Sequence, residues 1–381
     1  MSRTVIAGGG FGGISAALEL RRLASPDHEI VIVDRDEAFM MGLRKLWALI
    51  GYGTMEEGRR PRARLAEHGI TFEQRTIGAI DPDSRALATE DGTIDGDHLV
   101  IALGAVPRPD LVTGLAEHAH NVWDSASVPA ASAELKAFDG GTIAIVIAGG
   151  PYTCPPAPFE CAFLIDEYLR SRGLRDRSDL TLTTFQPILM PNAGQEGSAM
   201  IGGMLSKRGI STRTGAAVKR VEDRRVVFED GDLAAELIVG VPPHRPPVVV
   251  KESGFTGDGP FIPVDRGTLA TSVPGVWAVG DCTQITLDNG MPFPKAGVVA
   301  ELEGLVVARE IAAILKDKSA PPPFDGNAHC FIETGTEEAA MFEAEFFAAD
   351  GPKITFADVT TEASEEKHRF ERDRLSEWFP D

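Results

Sequence analysis

The chain has 381 residues, and its 57 acidic and 37 basic residues give it a formal net charge of −20 at pH 7. The length and the hydrophobic fraction of 43% are those of a folded protein with two or three domains and a large core. The negative charge argues against nucleic acid or an anionic membrane surface as the main partner, because both would repel it. No apolar run predicts a transmembrane helix, and a strand at residues 4–7 leaves no room for a signal peptide, so we expect a cytoplasmic protein.

A glycine-rich turn follows this first strand. Gly8, Gly10 and Gly13 have the G-x-G-x-x-G spacing, and a helical stretch at residues 14–23 comes next. In this pattern the first glycine allows the tight turn, the second lets the backbone approach a pyrophosphate, and the third lets helix and strand pack closely. The helix N-terminus then offers N–H groups to the phosphates. A second strand at residues 29–33 leads to the acid expected at a ribose hydroxyl, and the predicted dinucleotide contacts are Gly8, Gly10, Phe11, Gly12, Gly13, Asp34 and Arg35.

Two later segments indicate that this dinucleotide is FAD. A buried strand ends at Leu103 and Gly104. Such an ending is typical of the place where a chain leaves one dinucleotide domain and enters another. Far downstream, a strand at residues 275–279 ends in Gly280 and Asp281, and an aspartate there can accept a hydrogen bond from the ribityl chain of a flavin. FAD segments at both ends with an insert between them are the arrangement of flavoprotein reductases with two dinucleotide domains. We add Ile77 to the expected FAD contacts.

The insert contains a second strand-and-turn of the nucleotide-binding type, at residues 142–156. Ala148 and Thr153 stand where an NAD fingerprint has its first and third glycines. A side chain at the third position would hold the helix off the strand, and Pro155 and Pro156 remove N–H donors from the turn. We therefore predict a second nucleotide-type domain whose reductant is not a nicotinamide.

Three segments resemble the sulfide:quinone oxidoreductases and the flavoprotein subunit of flavocytochrome c sulfide dehydrogenase. Residues 154–160 are similar to that family's Cys-Pro-Pro-x-Pro-Tyr-Glu segment, and residues 280–297 contain its Gly-Asp and Pro-Lys-x-Gly segments. Residues 327–333 resemble its C-terminal Gly-x-Cys-Phe-x-Glu segment. The resemblance covers essentially the whole chain, and it implies that Cys154 and Cys330 face the flavin and exchange sulfur.

The resemblance also implies the chemistry of the site. A sulfur nucleophile attacks a disulfide or persulfide, and the thiolate that results passes two electrons to the flavin. Cys154 precedes a predicted helix N-terminus, where the helix dipole would lower the pKa of its thiol. Lys295 is expected to stabilise negative charge on the reduced ring, the alternative being a solvated surface lysine.

The sequence also departs from this family. Its members often use a third cysteine, but none lies between residues 103 and 148, and none lies near residues 39–42, where some members attach FAD covalently. We expect non-covalent FAD and a two-cysteine site. Cys161 and Cys282 are interpreted as structural, and the four cysteines are too scattered for a zinc site, so no metal is expected.

The predicted fold class is α/β, with two Rossmann-like dinucleotide-binding domains of the disulfide-reductase type and a C-terminal cap segment. The first part of the FAD domain is 1–108, the second domain 109–247, the second part of the FAD domain 248–320, and the C-terminal segment 321–381. Proline-rich stretches at 106–109 and 242–247 mark the crossings. Residues 365–379 predict an amphipathic helix. It either docks on the core or on a homodimer partner, or it lies on a membrane near a quinone. Its mixed acidic face counts against the membrane.

These observations predict an FAD-dependent oxidoreductase that oxidises sulfide or a related sulfur species through Cys154 and Cys330 and reduces a quinone. Three alternatives stay open. One is a soluble sulfide or persulfide dehydrogenase with a protein acceptor, and another is a type II NADH dehydrogenase. The third is a flavoprotein retained as a redox sensor without enzymatic activity.

Overall fold

The computed structural model describes residues 2–380. Its first layer is a five-stranded parallel sheet that joins the start of the chain to a strand from far downstream. The strands lie in the order Val276–Ala278, His98–Ile101, Arg3–Ala7, Glu29–Asp34 and Thr71–Gln74. The central strands are almost wholly buried, as expected for a parallel sheet covered on both faces. The downstream strand pairs with the strand that leaves the first nucleotide-type unit, which agrees with the predicted two-part arrangement.

The glycine-rich turn after the first strand has the geometry that its spacing predicts. Gly8 has φ +107°, which a residue with a side chain rarely adopts. A Cβ atom on Gly13 would lie 2.0 Å from the carbonyl oxygen of Gly8, so only glycine lets helix Phe11–Leu23 begin this close to the strand. The same helix packs closely on helix Gly297–Leu315, since a Cβ on Gly304 would lie 2.4 Å from the carbonyl oxygen of Gly12.

A second parallel sheet of four strands has its own hydrophobic core. Its order is Ser211–Arg213, Ser178–Thr184, Gly141–Ile147 and Leu237–Val241. The predicted crossings pair with each other as a short antiparallel ladder, Val106–Pro107 against His244–Arg245. Two parallel sheets with helices around them confirm the predicted fold class, whereas the boundaries at residues 108, 247 and 320 stay predictions.

Shorter elements complete the described chain. The chain also has two separate three-stranded antiparallel sheets. The first consists of Ile77–Asp81, Ala86–Thr89 and Gly92–Asp95, and the second of Val218–Glu222, Arg225–Phe228 and Gly231–Ala234. Two small pairs are Ala38–Met40 with Arg59–Pro61 and Ile262–Pro263 with Thr283–Gln284. The remaining α-helices before the C-terminal segment are Arg44–Ile50, Leu115–His118, Val128–Ala137, Ala157–Ser171, Gly194–Lys207 and Val248–Glu252. Short 3₁₀ turns occupy Glu56–Gly58, Arg62–His68, Pro109–Leu111, Arg175–Arg177, Pro191–Ala193 and Gly280–Cys282.

The C-terminal segment is an antiparallel sheet followed by a helix. Its strands are Asn327–Gly335, Glu338–Glu345 and Lys353–Thr360, and the helix is Thr361–Trp378. The Thr360 side chain caps the helix by accepting a hydrogen bond from the Ala363 N–H at 3.1 Å.

The C-terminal helix packs on the protein with its apolar side. Leu375, Trp378 and Phe379 are buried, and the Phe11 ring lies 5.3 Å from the Trp378 ring. The exposed side chains are charged or polar: Thr361, Glu362, Glu365, Glu366, Arg369, Arg372, Asp373, Ser376 and Glu377. The helix therefore docks on the core, which is one of the predicted alternatives, and a homodimer or membrane contact through its outer side stays a prediction. None of the described helices is long and apolar enough to span a membrane.

Candidate active site

A cavity of about 430 Å³ lies where the glycine-rich turn, the second parallel sheet and the C-terminal segment meet. It brings together five residues that the sequence analysis singled out: Gly10, Phe11, Cys154, Asp281 and Cys330. Charged side chains without a predicted role also line it, namely Asp36, Lys45, Arg62, Glu160 and Lys367. Residues more than 300 positions apart in the sequence thus share one cavity.

The walls of this cavity fit a flavin dinucleotide. The Oδ1 atom of Asp281 is buried and has no hydrogen-bond partner within the described part of the chain, as expected for an acceptor that awaits a ligand hydroxyl. A Cβ atom on Gly10 would meet nothing within 4 Å, so the turn is open on the side where a pyrophosphate must approach. An unsatisfied acceptor and an open glycine turn in one cavity suit the ribityl and pyrophosphate groups of FAD.

The acid after the second strand has a partner within the protein. Asp34 Oδ2 accepts a hydrogen bond from the Gly9 N–H at 2.7 Å and lies 3.5 Å from Arg62 Nη2. Arg62 in turn donates from Nε to the Gly9 carbonyl oxygen at 2.8 Å. Asp34 and Arg62 together brace the turn, and the neighbouring acid Asp36 is one of the residues that line the cavity. The sequence analysis missed Arg62 because no local pattern connects it to the turn.

The other predicted FAD contacts lie outside the walls of this cavity. Gly8, Gly12 and Gly13 shape the turn from behind, and Gly280 lines a neighbouring cavity. Arg35 is exposed beside Asp36, and Ile77, Leu103 and Gly104 line neither cavity. The contacts of all the predicted residues with FAD stay predictions.

Cys154 and Cys330 reach the cavity from two different elements. Cys154 lies in the turn before helix Ala157–Ser171, with φ +55°, and its N–H donates to the Lys295 carbonyl oxygen at 2.6 Å. Cys330 lies on the edge strand Asn327–Gly335. Both side chains are half-buried free thiols. The predicted short sulfur path between them is compatible with this placement and stays a prediction.

Burial controls the acidity of both thiols. It raises the pKa of the Cys330 thiol to about 11. It raises the pKa of the Cys154 thiol by more, and the charges of Cys330 and Glu160 raise that pKa too. The Ala157 N–H at the helix N-terminus lowers the pKa of Cys154 as predicted, but the expected net lowering is wrong, because desolvation outweighs this contribution. A thiolate formed on Cys154 therefore needs a cation close to it.

A buried ionic cluster holds the two cysteine-bearing elements together. Lys367 Nζ donates to Glu160 Oε1 at 2.7 Å and to Glu333 Oε2 at 2.8 Å. Trp47 Nε1 donates to both carboxylate oxygens of Glu333, and Glu160 Oε1 also accepts from the Glu333 N–H. Glu160 and Glu333 end the two cysteine motifs, but the sequence analysis gave them no role. The cluster connects the helix after Cys154, the strand of Cys330 and the C-terminal helix.

Replacing Lys367 by methionine should destabilise the protein. The substitution leaves two carboxylates buried without a counter-ion, and removing one partner of a buried ion pair typically costs about 3–5 kcal/mol. We expect a lower urea midpoint of unfolding. Lys207→Met, at an exposed lysine, is the matched control and should move the midpoint little. An unchanged midpoint for Lys367→Met would show that the cluster does not hold these elements together.

Lys295 is buried beside a second cavity of about 660 Å³, whose walls also include Gly280 and Asp281. Its Nζ donates to the Thr283 carbonyl oxygen at 2.7 Å and lies 4.1 Å from the Phe261 ring centroid. Burial lowers the pKa of Lys295, and Asp281 opposes this shift. The alternative of a solvated surface lysine is therefore wrong.

A buried carboxyl in the same region escaped the sequence analysis. Glu303 accepts a hydrogen bond from the Gly280 N–H, and burial raises its pKa to about 8. It lies in the middle of an apolar helix, a position that offers no sequence signal of its own.

The turn of the second sheet offers little room for a nicotinamide dinucleotide. A Cβ on Gly150 would lie 2.9 Å from the Phe185 ring, and one on Gly149 would lie 2.7 Å from Pro243. Phe185 directly follows strand Ser178–Thr184, where the first sheet has Asp34. An aromatic ring thus stands where the first unit has Asp34, and it covers the glycine turn.

The other two cysteines are buried away from the cysteine cavity. Cys161 belongs to the core of the second sheet, and the Cys282 Sγ lies 3.3 Å from the Val279 carbonyl oxygen. Burial raises the pKa of both thiols to about 12. Their positions agree with the structural interpretation of both residues.

Residues 2–304 match the family model of the pyridine nucleotide-disulphide oxidoreductases. The chain belongs to this family. It is 24% identical over 367 residues to the mitochondrial sulfide:quinone oxidoreductase of Mus musculus, covering 90% of this chain and 78% of that protein. It is 23% identical over 342 residues to the type II NADH:quinone oxidoreductase of Staphylococcus aureus, covering 83% of each.

The fold is also that of a solved member of this family. The X-ray structure of the sulfide:quinone oxidoreductase from Aquifex aeolicus superposes with a TM-score of 0.88 at 24% identity, covering 99% of this chain and 91% of that one. The predicted fold and the resemblance to sulfide:quinone oxidoreductases are confirmed. The protein is an oxidoreductase of the disulphide-reductase fold with a flavin cofactor.

Proposed function

We propose that this protein oxidises sulfide or a related small sulfur species through Cys154 and Cys330, and that the electrons pass through FAD to a quinone. The observation that carries the proposal is a single cavity lined by both cysteines, by the open turn at Gly10 and by the unsatisfied carboxylate of Asp281. The mouse and Aquifex relatives, which are named for sulfide:quinone oxidoreductase activity, support it.

The cysteine pair supplies the sulfur chemistry. A hydrosulfide ion that attacks a disulfide between Cys154 and Cys330 breaks the S–S bond, forms a persulfide on one cysteine and releases the other as a thiolate. FAD, when bound, supplies a two-electron acceptor beside the pair.

Other residues of the chain would hold the cofactor. Gly10 admits the pyrophosphate, Asp281 accepts a hydrogen bond from the ribityl chain, and Lys295 stabilises negative charge at the flavin from its buried position. Binding is non-covalent in this proposal, since no cysteine lies near residues 39–42. The quinone acceptor, a cytoplasmic location and a homodimer belong to the same proposal.

Sulfide should reduce the bound flavin orders of magnitude faster than NADH or NADPH. The reason is that Phe185 and Pro243 crowd the turn that a nicotinamide dinucleotide would need, whereas both cysteines face the cavity. Anaerobic stopped-flow mixing of the yellow protein with each reductant measures the rates, and a short-chain quinone added afterwards should restore the oxidised spectrum.

The alternatives have distinct outcomes in this experiment. Rapid reduction by micromolar NADH would assign the protein to the type II NADH dehydrogenases. Rapid reduction by sulfide without reoxidation by quinone would favour a dehydrogenase with a protein acceptor. A flavin that neither donor reduces would contradict the proposal and favour the redox sensor.

A further inference from the structure

Two lysines line the cysteine cavity, and they differ in their partners. Lys367 is neutralised by Glu160 and Glu333, which lie 2.7 and 2.8 Å from its Nζ. Lys45, in helix Arg44–Ile50, donates from Nζ to the carbonyl oxygen of Trp123 at 2.8 Å. Within residues 2–380 it forms no ion pair. Its carbonyl partner uses one of three N–H groups and neutralises no charge.

A desolvated ammonium without an ion pair is costly, and proteins rarely keep one without a function. Desolvation is the main influence on Lys45, and it lowers the pKa of the ammonium. The anionic or ionisable groups close enough to raise that pKa again are Cys154 first, then Asp124 and Asp281. Lys45 lines the same cavity as the Cys154 thiol and the carboxylate at the predicted flavin site.

The proposed reaction creates a negative charge at this place. Attack on the cysteine pair releases a thiolate, and burial has raised the pKa of both thiols, so the anion is disfavoured unless a cation stabilises it. Lys367 lowers the pKa of Cys154, but its charge is already balanced by two carboxylates. Lys45 is the cavity lysine whose charge remains available.

We propose that Lys45 stabilises anionic sulfur on Cys154 across the shared cavity, both as the thiolate and as the persulfide anion. This inference rests on the function proposed above and adds a role that the cysteine motifs do not contain. A nearby opposite charge lowers the pKa of a thiol, and each unit of that shift corresponds to about tenfold in the thiolate fraction below the pKa.

Other charges near Cys154 limit how the effect can be attributed. Glu160 and Cys330 disfavour its thiolate, and Lys367 favours it. Asp124 and Asp281 face Lys45 and stabilise the ammonium. A substitution at Lys45 leaves all of these groups in place, so a change in Cys154 reactivity reports the Lys45 charge.

The test measures thiol reactivity in the FAD-bound protein without sulfide. Reduced parent, Lys45→Met, Lys45→Arg and the exposed-lysine control Lys207→Met are alkylated with iodoacetamide over a range of pH. Mass spectrometry then quantifies Cys154 and Cys330 separately. Lys45→Met should slow alkylation of Cys154 about tenfold near neutral pH and move its pH profile upward, because the thiolate loses a counter-ion. Lys45→Arg should recover most of the rate, and Cys330 should change less.

Two results would overturn the inference. One is a Cys154 profile in Lys45→Met that coincides with the parent. The other is slower reduction of the flavin by sulfide with unchanged Cys154 alkylation, which would place the action of Lys45 on another group. If the reagent cannot reach Cys154, the ultraviolet absorbance of the thiolate gives the same comparison. It is obtained by subtracting the spectrum of the Cys154→Ser protein at each pH.

The two proposals fail in different ways. The alkylation profile contains no sulfide chemistry, so it remains informative even if sulfide proves not to be the substrate. The sulfide proposal fails when the Cys154→Ser protein keeps its reduction rate, whatever the Lys45 variants do. Flavin content and the urea midpoint of each Lys45 variant show whether its fold is intact.

Discussion

Serine in place of Cys154 or Cys330 should leave the flavin bound and slow its reduction by sulfide by orders of magnitude. Both thiols line the cavity, and a hydroxyl can neither form the disulfide nor carry the persulfide. Each substitution exchanges one atom in a half-buried side chain, so cofactor binding should survive. Anaerobic stopped-flow spectroscopy at the flavin absorbance compares the rates, and the visible spectrum gives the flavin content.

Cys161→Ser is the matched control for these variants. Cys161 lies only seven residues after Cys154 but is buried in the core of the second sheet. A hydroxyl there lowers stability by leaving a polar group in an apolar site, and it should not change the rate of flavin reduction. If Cys154→Ser and Cys330→Ser both reacted as fast as the parent, the sulfur mechanism would be wrong, and the fold would serve another reductant.

Valine in place of Gly10 should abolish flavin binding while the protein remains folded. Gly10 has φ −90°, which any residue adopts, and a Cβ there meets no protein atom within 4 Å. The added side chain would therefore occupy only the space through which a pyrophosphate must approach the backbone. Acid precipitation should release FAD into the supernatant from the parent, as expected for non-covalent binding, and release none from Gly10→Val.

Two comparisons make the Gly10 result specific. Gly203→Ala, on helix Gly194–Lys207, also adds a Cβ into open space and should keep the parental flavin content. Gly13→Val is unsuitable, because its Cβ would collide with the carbonyl oxygen of Gly8 and disturb the fold itself. Circular dichroism confirms folding of each variant. Full flavin occupancy in Gly10→Val would mean that the turn does not hold the pyrophosphate, and flavin remaining in the parental precipitate would refute non-covalent binding.

Local patterns were sufficient to predict the framework of this protein. Gly8 and Gly13 have a spacing that only a tight strand-to-helix turn requires, and the structure has that turn. The strand before Gly280 pairs beside the strand that leaves the first unit, as its position in the two-part arrangement predicts. The convergence of Cys154 and Cys330 came from the resemblance of their segments to a family, since nothing in the spacing of the two cysteines indicates it.

Properties that depend on tertiary environment were not predictable in the same way. The helix-terminus rule for Cys154 is local, whereas the desolvation that overrides it comes from elements distant in the sequence. Lys45 and Arg62 lie in segments with no periodic or motif signal, and only the folded chain shows that one reaches the cysteine cavity and the other braces the glycine turn. The pattern of the C-terminal helix leaves its docking site open, and only the folded chain shows that its aromatic residues pack against Phe11.

The docking of the C-terminal helix has a consequence for biosynthesis. Its Lys367 and Phe370 form part of the cavity wall. Its Glu371 accepts a hydrogen bond at 2.6 Å from Arg44, the residue before Lys45. The ribosome synthesises the glycine-rich turn long before these residues. A nascent chain therefore has the turn for the pyrophosphate well before it has the walls around the rest of the cofactor. Stable loading of the flavin must wait until residues 367–371 have been synthesised and have docked.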